Sequence, residues 1–594
     1  IMPGFIATDS NNEISNLGRG GSDYTASIMA NYTNSKALEI WTDVSGVFSA
    51  NPKIVKNSKA IESLSYKEAM ELSFFGAKVI YFPTLQPLIE KSIPAYIKNT
   101  FDIDAIGTCI SNKGENNEES TIKGISHIEK ISLINFEGSG MVGVPGFSKR
   151  FFGALSERGI NVIMITQASS EFSICVAVKE SDANNAKISI DKEFEYEISQ
   201  RKINECQIES SLSNIAIVGD NMKSKKGVSG RLFSTLGNNN INIRAIAQGA
   251  SERNISIIID EKDNTKALNS LHEAFFENNC KNLHLFITGV GNVGSNLIRQ
   301  ISDQKKSLEE SLGLKMKVMA LSNSKKMLLS DTEIDLTDWK SKLDSSNIKS
   351  DNDKFLDFSI KQNLRNSLFI DNTANSDITV NYNKYLKNGI GIVTCNKIAC
   401  SSELEKYLDL KSLSRTHNAP FLYETNVGAA LPIINTLNNL INSGDQITKI
   451  EAVLSGTLNY IFNTFNKENS FYEVVKKAVD LGYTEPDPKI DLCGIDVSRK
   501  ILILARESGK KIEFSDVQNI SFLPDESINT ESKEEFLESI KNNNDHFNKM
   551  LDKALKNKSR LKYVASLIDG KASVSLKEIN EDHPFYNLQG SDNI

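Results

Sequence analysis

The apolar residues of this chain form short runs that alternate with amphipathic segments. Over residues 1–110, runs typical of strands alternate with helical patterns. Two stretches between 131 and 280 repeat one order: strand, Gly-rich turn, amphipathic helix, strand ending in Gln, and a further strand. Longer β-α-β units follow, and strands and helices mix without regular order after 425. The pattern predicts a multidomain α/β chain.

The same pattern divides the chain into five segments. They are an α/β segment at 1–110, a polar linker at 111–130, tandem β-α-β-β units at 131–280, a Rossmann-like domain at 281–425 and an α+β domain at 426–594.

The composition of the chain mainly excludes certain classes of protein and of site. The net charge is −7 and the lysines are scattered among Asp and Glu, so no basic stripe for nucleic acid is expected. No apolar run reaches the roughly 18 residues that a membrane span requires. The seven cysteines include no CxxC pair, which argues against a disulfide framework or a zinc site. We therefore expect a cytoplasmic protein without a membrane or nucleic-acid partner.

A Gly-rich turn at 289–294 follows the apolar run 283–287 and precedes a helical pattern. Its glycines permit a tight turn, close approach of a pyrophosphate and close helix–strand packing. The alternative is a Gly-rich turn in an unrelated α/β domain. The predicted cofactor-binding residues of this turn are Gly289, Val290, Gly291, Asn292, Val293 and Gly294.

The end of the second strand of this domain indicates which dinucleotide binds. It reads Ser322, Asn323, Ser324, Lys325, Lys326, without the acid that holds the ribose of NAD. Two cations suit a 2′-phosphate, so NADPH is the expected cofactor, with NADH as the alternative. The lysines could equally be solvated surface.

Five ordered motifs in the second half of the chain resemble the homoserine dehydrogenase family. In one of them, TCNK at residues 394–397, Cys395 stands where the family has Pro. The motifs are DNTA (371–374), TCNK (394–397), ETNVGAALP (424–432), SGTLNY (455–460) and the segment GYTEPDPKIDLCGIDVSRK (482–500).

Asp496 and Lys500 are four residues apart on a helical pattern and therefore share one face. Reduction of an aldehyde needs a hydride and a proton for the developing alkoxide, and Lys500 is the candidate donor. Asp496 can hold that ammonium in place. On spacing alone, a surface ion pair is the competing interpretation. Glu485, in the rigid TEPDP loop, suits the α-ammonium of an amino-acid substrate.

The resemblance implies further roles in the same half of the chain. Asn372, Thr373 and Lys397 would lie near the nicotinamide, and Lys397 also near the substrate. A monovalent cation such as Na⁺ would be bound at Glu424, Val427, Ala429 and Leu431; for Glu424 alone, helix capping or solvation is the alternative.

The sequence LGRGGSDYTA (17–26) predicts a Gly-rich turn entering a helix, with Ser22 and Asp23 as caps. It resembles the GRGGSD motif of aspartokinases, which have the amino-acid-kinase fold. The resemblance implies that Arg19 binds the aspartate α-carboxylate and that Asp23 lies at the phosphoryl-transfer centre.

Two later segments, WTDVSGVF (41–48) and FGAKV (75–79), resemble the nucleotide-binding segments of aspartokinases. Phe48, Asn51 and Tyr81 depart from the family pattern. For ATP with Mg²⁺, the implied residues are Thr42, Asp43, Phe48, Lys53, Lys78 and Val79.

The repeated units at 131–280 resemble ACT domains, which bind amino acids at their interfaces. Gln167 and Gln248 occupy the same place in each copy, and an amide both donates and accepts hydrogen bonds. The resemblance implies threonine as effector. The alternative is that the pair is only a dimerising scaffold.

Together these resemblances indicate the bifunctional aspartokinase/homoserine dehydrogenase family and a homo-oligomer. The implied substrates are aspartate, aspartate semialdehyde and homoserine. Because the family's first kinase lysine is not in the sequence given, we expect this piece alone not to phosphorylate aspartate. The family continues past residue 594 to complete the nucleotide-binding domain, which leaves open whether this piece alone reduces the aldehyde. Two alternatives remain: a homoserine dehydrogenase with a degenerate kinase scaffold, and a non-catalytic amino-acid sensor.

Overall fold

The computed structural model describes residues 4–18, 20–76, 80–112, 121–167, 172–249, 253–277, 281–484 and 487–592. The chain forms two compact units. The first comprises Ile1–Lys281 with Leu308–Lys315 and Asn363–Arg365, and the second the remaining residues. Within the described ranges no helix has the length and apolar character needed to cross a membrane.

The N-terminal segment contains a four-stranded sheet of order β3-β5-β6-β4 and a separate β1–β2 pair. Helix α2 begins with a capping box, in which the Ser65 hydroxyl and the Glu68 carboxylate satisfy each other's backbone N–H groups. The elements are β1 (Ile6–Thr8), β2 (Ile14–Asn16), α1 (Gly21–Tyr32), β3 (Leu38–Thr42), β4 (Ser63–Ser65), α2 (Tyr66–Phe74), α3 (Leu85–Lys91), β5 (Ala95–Asn99) and β6 (Thr108–Ser111).

The two repeats share one six-stranded sheet of order β11-β12-β10-β7-β9-β8, because β7 and β10 pair antiparallel at its centre. Each copy has the predicted strand–helix–strand–strand order; two helices follow the first copy and one helix follows the second. The elements are β7 (Gly124–Glu137), α4 (Phe147–Glu157), β8 (Met164–Gln167), β9 (Ser173–Lys179), α5 (Ala183–Glu193), α6 (Glu195–Ser199), β10 (Gln207–Val218), α7 (Val228–Asn238), β11 (Ile243–Gln248), β12 (Asn254–Asp260) and α8 (Asn264–Phe276).

The linker expected at 111–130 is shorter than that range. Strand β7 begins at Gly124, and its first residues pair with the end of β10. The first three residues of β7, Gly124, Ile125 and Ser126, are all buried. Ile125 and Ile128 point to opposite faces of the strand and pack against different apolar clusters, so this segment has apolar contacts on both faces.

The Rossmann-like segment has the sheet order β15-β14-β13-β16-β17-β18, parallel from β13 through β18. The elements are β13 (Lys281–Thr288), α9 (Asn292–Leu312), β14 (Leu314–Ser322), β15 (Met327–Leu329), α10 (Trp339–Ser345), α11 (Asn352–Lys361), β16 (Ser367–Asp371), α12 (Ser376–Thr379), α13 (Tyr382–Lys387), β17 (Gly391–Thr394), α14 (Leu404–Thr416) and β18 (Phe421–Leu422).

The C-terminal segment has a four-stranded sheet of order β19-β21-β22-β20. The elements are α15 (Ile433–Asn442), β19 (Lys449–Ala452), α16 (Gly456–Thr464), α17 (Phe471–Asp480), α18 (Pro488–Leu492), α19 (Ile495–Glu507), β20 (Gln518–Ile520), α20 (Asp525–Ile528), α21 (Lys533–Asn542), α22 (Asn544–Lys556), β21 (Arg560–Ile568) and β22 (Lys571–Ile579).

Helix α19 packs on β21 and β22 of this sheet, and its apolar run Ile501–Ala505 is fully buried. Gly494 precedes the helix in the left-handed conformation, with φ +69°. A side chain at Gly494 would overlap the hydroxyl of Tyr563. Only glycine therefore allows the helix to begin this close to the sheet.

Candidate functional site

The Gly-rich turn connects β13 to α9, as predicted. Gly289 has φ +81°, and a Cβ there would lie 2.6 Å from Cγ2 of Thr373. A Cβ at Gly294 would overlap the carbonyl oxygen of Gly289, whereas a Cβ at Gly291 would meet nothing within 4 Å. The middle glycine alone faces open space, as close approach of a pyrophosphate to the backbone requires. Val290, Asn292 and Val293 lie on this turn and the first turn of α9.

The end of β16 lies against this turn. Asp371 is fully buried and accepts hydrogen bonds from the Tyr382 hydroxyl at 2.6 Å, from Asn396 Nδ2 at 3.0 Å and from the Thr373 N–H at 2.8 Å. Burial raises the pKa of Asp371, and these donors oppose the rise. The Asn372 Nδ2 atom is buried without a partner in the described part of the chain. A polar atom of this kind beside the turn fits a bound dinucleotide.

At the end of β14, Asn323 forms a turn in which its side-chain oxygen accepts the N–H groups of Lys325 and Lys326, at 2.8 and 2.7 Å. The ammonium of Lys326 donates to the carbonyl of Asp344, while Lys325 is exposed. Lys325 is therefore the better candidate of the two for an anionic ligand.

Helix α19 places Asp496 and Lys500 together, with Asp496 Oδ2 2.7 Å from Lys500 Nζ. Lys397, which follows β17, lies 3.3 Å from Asp496 Oδ1. Lys500 Nζ also donates to the carbonyl of Leu454 at 2.6 Å, just before the SGTLNY segment. Burial works to raise the pKa of Asp496, but Lys500 and Lys397 outweigh it and the pKa is lowered. The carboxylate thus holds two ammonium groups that belong to different motifs.

Glu424 caps helix α15, because its carboxylate oxygens accept the N–H groups of Ile434 and Asn435 at 2.8 and 2.9 Å. A carboxylate has about four lone-pair sites, so capping leaves acceptor capacity. The loop after it contains two consecutive left-handed residues, Gly428 with φ +77° and Ala429 with φ +51°.

The donors expected to hold a cation on this loop are the Glu424 carboxylate and backbone oxygens at Val427, Ala429 and Leu431. The Leu431 carbonyl accepts the Ile433 N–H at 2.9 Å. Oxygen donors fit a hard cation. No group of three or more His, Cys, Asp or Glu side chains suited to a metal occurs among the described residues.

Glu485 lies outside the described residues, and the residues on either side of it in the sequence make defined contacts. The Thr457 hydroxyl donates to the Tyr483 carbonyl at 2.5 Å, and the rings of Tyr460 and Tyr483 are 4.8 Å apart. On the other side, Asp487 caps α18 through the Lys489 N–H. The SGTLNY and GYTEPDP segments therefore meet.

In the N-terminal segment, α1 begins at Gly21 with Gly20 as its N-cap, in the left-handed conformation at φ +78°. Ser22 and Asp23 lie inside the first turn and make no capping hydrogen bond, so the expectation that they cap the helix was wrong. The helix begins earlier because glycine adopts the left-handed start without strain. Burial raises the pKa of Asp23. Arg19 lies outside the described residues.

The expected ATP segment runs from the end of β3. The Thr42 hydroxyl donates to Asp43, Phe48 forms an isolated bridge with Ala60, and exposed Lys53 donates its N–H to Asn51 Oδ1 at 3.1 Å. Lys78 and Val79 lie outside the described residues.

Gln167 and Gln248 end the two edge strands β8 and β11, at matching register positions opposite Ile174 and Ile255. Both glutamines are exposed. A groove of about 570 Å³ also lies on this sheet, with Thr166 and Arg244 among its lining residues. Since neighbouring strand positions face opposite sides, Gln167 points away from the face that carries Thr166.

Sequence reasoning missed a buried polar group in the second unit. The Glu507 carboxylate, at the end of α19, accepts hydrogen bonds from the hydroxyls of Tyr407 and Tyr423 and from Lys411 Nζ at 3.2 Å. The neighbouring Arg506 is also buried. The sequence feature that could have revealed this group is the pair of charged residues, Arg506 and Glu507, directly after the apolar run Ile501–Ala505.

Fold and site together define a multidomain α/β protein with a dinucleotide-type turn and a Lys–Asp–Lys cluster. Comparison with known proteins matches four family models to successive parts of the chain. The amino acid kinase family matches residues 1–99, the ACT domain matches 134–194 and 215–275, the homoserine dehydrogenase NAD-binding domain matches 289–424, and homoserine dehydrogenase matches 432–594.

The related proteins match this chain over its whole length. A bifunctional aspartokinase/homoserine dehydrogenase of Haemophilus influenzae is 39% identical over 100% of this chain and 72% of its own length. The chloroplastic bifunctional aspartokinase/homoserine dehydrogenase 2 of Arabidopsis thaliana is 40% identical over 100% of this chain and 66% of its own length. Among solved structures, E. coli aspartokinase III with aspartate and ADP matches at 29% identity and a TM-score of 0.40, over 46% of this chain and 60% of that one.

The chain belongs to the bifunctional aspartokinase/homoserine dehydrogenase family. This confirms the predicted fold class: amino-acid-kinase fold, paired ACT domains, Rossmann-like domain and α+β domain. The chain spans slightly less than two thirds of the plant relatives, 66% and 65%.

Proposed function

We propose that the protein containing this chain phosphorylates L-aspartate with ATP and reduces aspartate semialdehyde to homoserine with NADPH. The observation that carries the reductase half is Asp496 held between Lys397 and Lys500. Family membership supports both halves.

For the reduction, bound NADPH supplies the hydride to the aldehyde carbon. The Lys500 ammonium donates a proton to the carbonyl oxygen as the alkoxide develops, directly or through water. Asp496 holds that ammonium in place through the 2.7 Å ion pair. Gly289, Gly291 and Gly294 with Asn372 and Thr373 form the cradle for the dinucleotide, and Lys325 favours a 2′-phosphate.

The proposal for the reductase site has three further parts: Lys397, Glu485 and the loop that follows Glu424. Lys397 is proposed to contact substrate and nicotinamide, and Glu485 to bind the substrate's ammonium. A monovalent cation at Glu424 and the backbone oxygens of Val427, Ala429 and Leu431 would fix the loop with left-handed Gly428.

For the kinase, the Gly20–Asp23 turn supports the assignment of Asp23 to the phosphoryl-transfer centre, with Arg19 binding the α-carboxylate. Mg²⁺ would neutralise charge on the phosphates. The ATP residues are proposed to be Thr42, Asp43, Phe48, Lys53, Lys78 and Val79. Threonine is the proposed effector at Gln167 and Gln248, and a cytoplasmic homo-oligomer completes the proposal.

The test uses the full-length protein that contains this chain. Purified protein is assayed for NADPH oxidation with aspartate semialdehyde and, separately, for ATP-dependent trapping of aspartyl phosphate as the hydroxamate. Both activities are expected. Reduction without phosphorylation would leave a homoserine dehydrogenase with a degenerate kinase scaffold, and absence of both would leave an amino-acid sensor.

A further inference from the structure

The last two residues of α19 are charged and buried. The side chains of Arg506 and Glu507 are 0% and 1% exposed. Buried charges are costly unless partners compensate them, so their contacts define what they do. Asp496 lies in the first turn of the same helix, and Lys500 lies one turn further along.

Arg506 holds the segment that follows Lys397. Its Nη1 donates to the Cys400 carbonyl at 2.9 Å, and its Nε donates to the Ile512 carbonyl at 3.2 Å. Its Nη2 lies 3.2 Å from a Glu513 oxygen, and that carboxylate accepts the Leu404 N–H. The guanidinium therefore joins the end of α19 to residues 400–404.

Cys400 and Lys397 belong to one tight turn. The Ser401 N–H and hydroxyl both donate to the Lys397 carbonyl, at 3.0 and 2.8 Å. Because the turn is bonded internally, displacement of the Cys400 carbonyl displaces the backbone from which the Lys397 side chain extends.

Glu507 joins the same elements a second time, because Tyr407 and Lys411 lie on α14 and Tyr423 follows β18. Helix α19 and the 397–416 segment thus meet at two places: Lys397–Asp496 at the candidate site, and the Arg506–Glu507 contacts at the far end of the helix.

We propose that Arg506 is a positioning residue for the reductase reaction, which sets Lys397 beside Asp496 by holding the Cys400 carbonyl. The inference rests on the proposed reductase function. Arg506 does not touch the reacting atoms. Its removal loosens the Lys397 turn, and a long lysine on a loosened turn samples many rotamers.

The pH profile separates positioning from a purely structural role. Among the described residues, the charged groups that lower the pKa of Asp496 are Lys500 on its own helix and Lys397 on the facing turn. Glu513, Tyr407 and Cys400 face Arg506. When Lys397 moves away, the pKa of Asp496 rises, and the acid limb of kcat/KM moves to higher pH. Activity divided by the folded fraction measured at each pH removes the contribution of partial unfolding, and a purely structural role then moves no limb.

The experiment compares Arg506→Gln and Arg506→Lys in the full-length protein, with NADPH oxidation followed across the pH range. Arg506→Gln is expected to lower kcat roughly 10- to 100-fold. It should leave the KM for NADPH unchanged and shift the acid limb upward. Arg506→Lys keeps a donor for Cys400 and is expected to restore part of the rate and of the limb. Lys511→Gln, at an exposed position just after the same helix, is the control and should resemble the parent.

An unmoved acid limb in Arg506→Gln, with activity tracking the folded fraction in a thermal melt, overturns the proposal. If Arg506→Gln does not fold, Glu513→Gln is the second variant. Glu513 is 46% exposed and is expected to give a smaller shift in the same direction; no shift overturns the proposal. Absence of NADPH oxidation in the parent is a different result, which removes the proposed reductase function itself.

Discussion

Lys397 and Asp496 are brought within 3.3 Å although they lie in different segments of the chain, one after β17 and one at the start of α19. The second oxygen of Asp496 is 2.7 Å from Lys500. One carboxylate therefore fixes two ammonium groups, so the loss of any of the three side chains has a distinct expected effect.

Lys500→Met removes the proposed proton donor. We expect kcat for aspartate semialdehyde reduction to fall by about 10²- to 10⁴-fold, the usual contribution of a general acid. NADPH binding, measured by fluorescence titration, should be unchanged because Lys500 lies on α19 and not on the Gly-rich turn. Lys511→Met, an exposed lysine just after the same helix, is the control. Undiminished NADPH oxidation in Lys500→Met would remove Lys500 from the mechanism.

The glycines of the dinucleotide turn should respond differently to alanine. At Gly291 a Cβ meets nothing within 4 Å, so Gly291→Ala is expected to fold with an unchanged Tm and to bind NADPH more weakly. At Gly294 a Cβ overlaps the Gly289 carbonyl, so Gly294→Ala should lower the Tm as well. The two variants are compared by thermal melts and by NADPH titration. Equal NADPH affinity in Gly291→Ala and the parent would contradict a dinucleotide at this turn.

The sequence predicted those parts of the candidate site whose residues are close together along the chain. The strand–turn–helix around Gly289–Gly294 and the pairing of Asp496 with Lys500 depend on spacing alone, and the structure has both. The roles of Arg506 and Glu507 could not be predicted in this way, because Cys400, Tyr407, Lys411 and Tyr423 are 84 to 106 residues away and only the packing of α19 brings them together.

Two errors have local physical causes. Ser22 and Asp23 are good capping types, but left-handed Gly20 begins the helix before them. The linker expected at 111–130 runs past the start of β7 at Gly124, whose first three residues are buried. In both places residue type was weighed above backbone geometry, which the sequence shows only indirectly.

Lys325 should set the preference for NADPH over NADH. It is exposed at the end of β14, while the Lys326 ammonium is bonded to the Asp344 carbonyl. Lys325→Ala is expected to raise the KM for NADPH several-fold and to leave the KM for NADH unchanged, since only NADPH carries the 2′-phosphate. Lys340→Ala, an exposed lysine of the same domain, is the control. Equal changes for both cofactors would contradict this role.

Effector binding should depend on the paired glutamines. Because Gln167 and Gln248 hold matching positions at the ends of β8 and β11, Gln167→Ala should weaken threonine binding measured by calorimetry. The loss of one or two neutral hydrogen bonds predicts a change of roughly 1–2 kcal/mol. Gln200→Ala, also exposed, is the control and should bind like the parent. Equal threonine binding in all three proteins would remove Gln167 from the effector site, and no binding in the parent would leave the ACT pair as a scaffold.

Tyr382→Phe tests the buried carboxylate at the end of β16. The mutation removes the 2.6 Å donor to Asp371 and leaves Asn396 and the Thr373 N–H in place. A lost hydrogen bond to a charged group predicts a decrease of about 1.5–3 kcal/mol in the free energy of unfolding at neutral pH, measured with urea.

The pH dependence of that decrease follows from the raised pKa of Asp371, whose ordinary value is 3.8. A carboxyl with a raised pKa in the folded state favours folding most at low pH, and that contribution is lost as the pH rises through the folded pKa. The deprotonated carboxylate is the form that needs the Tyr382 donor. The difference between Tyr382→Phe and the parent should therefore grow as the pH rises. Tyr385→Phe, which removes the hydroxyl of a buried ring stacked 4.1 Å from Phe369, should show no such growth. A difference that is constant with pH would mean that the Asp371 charge has no part in the effect.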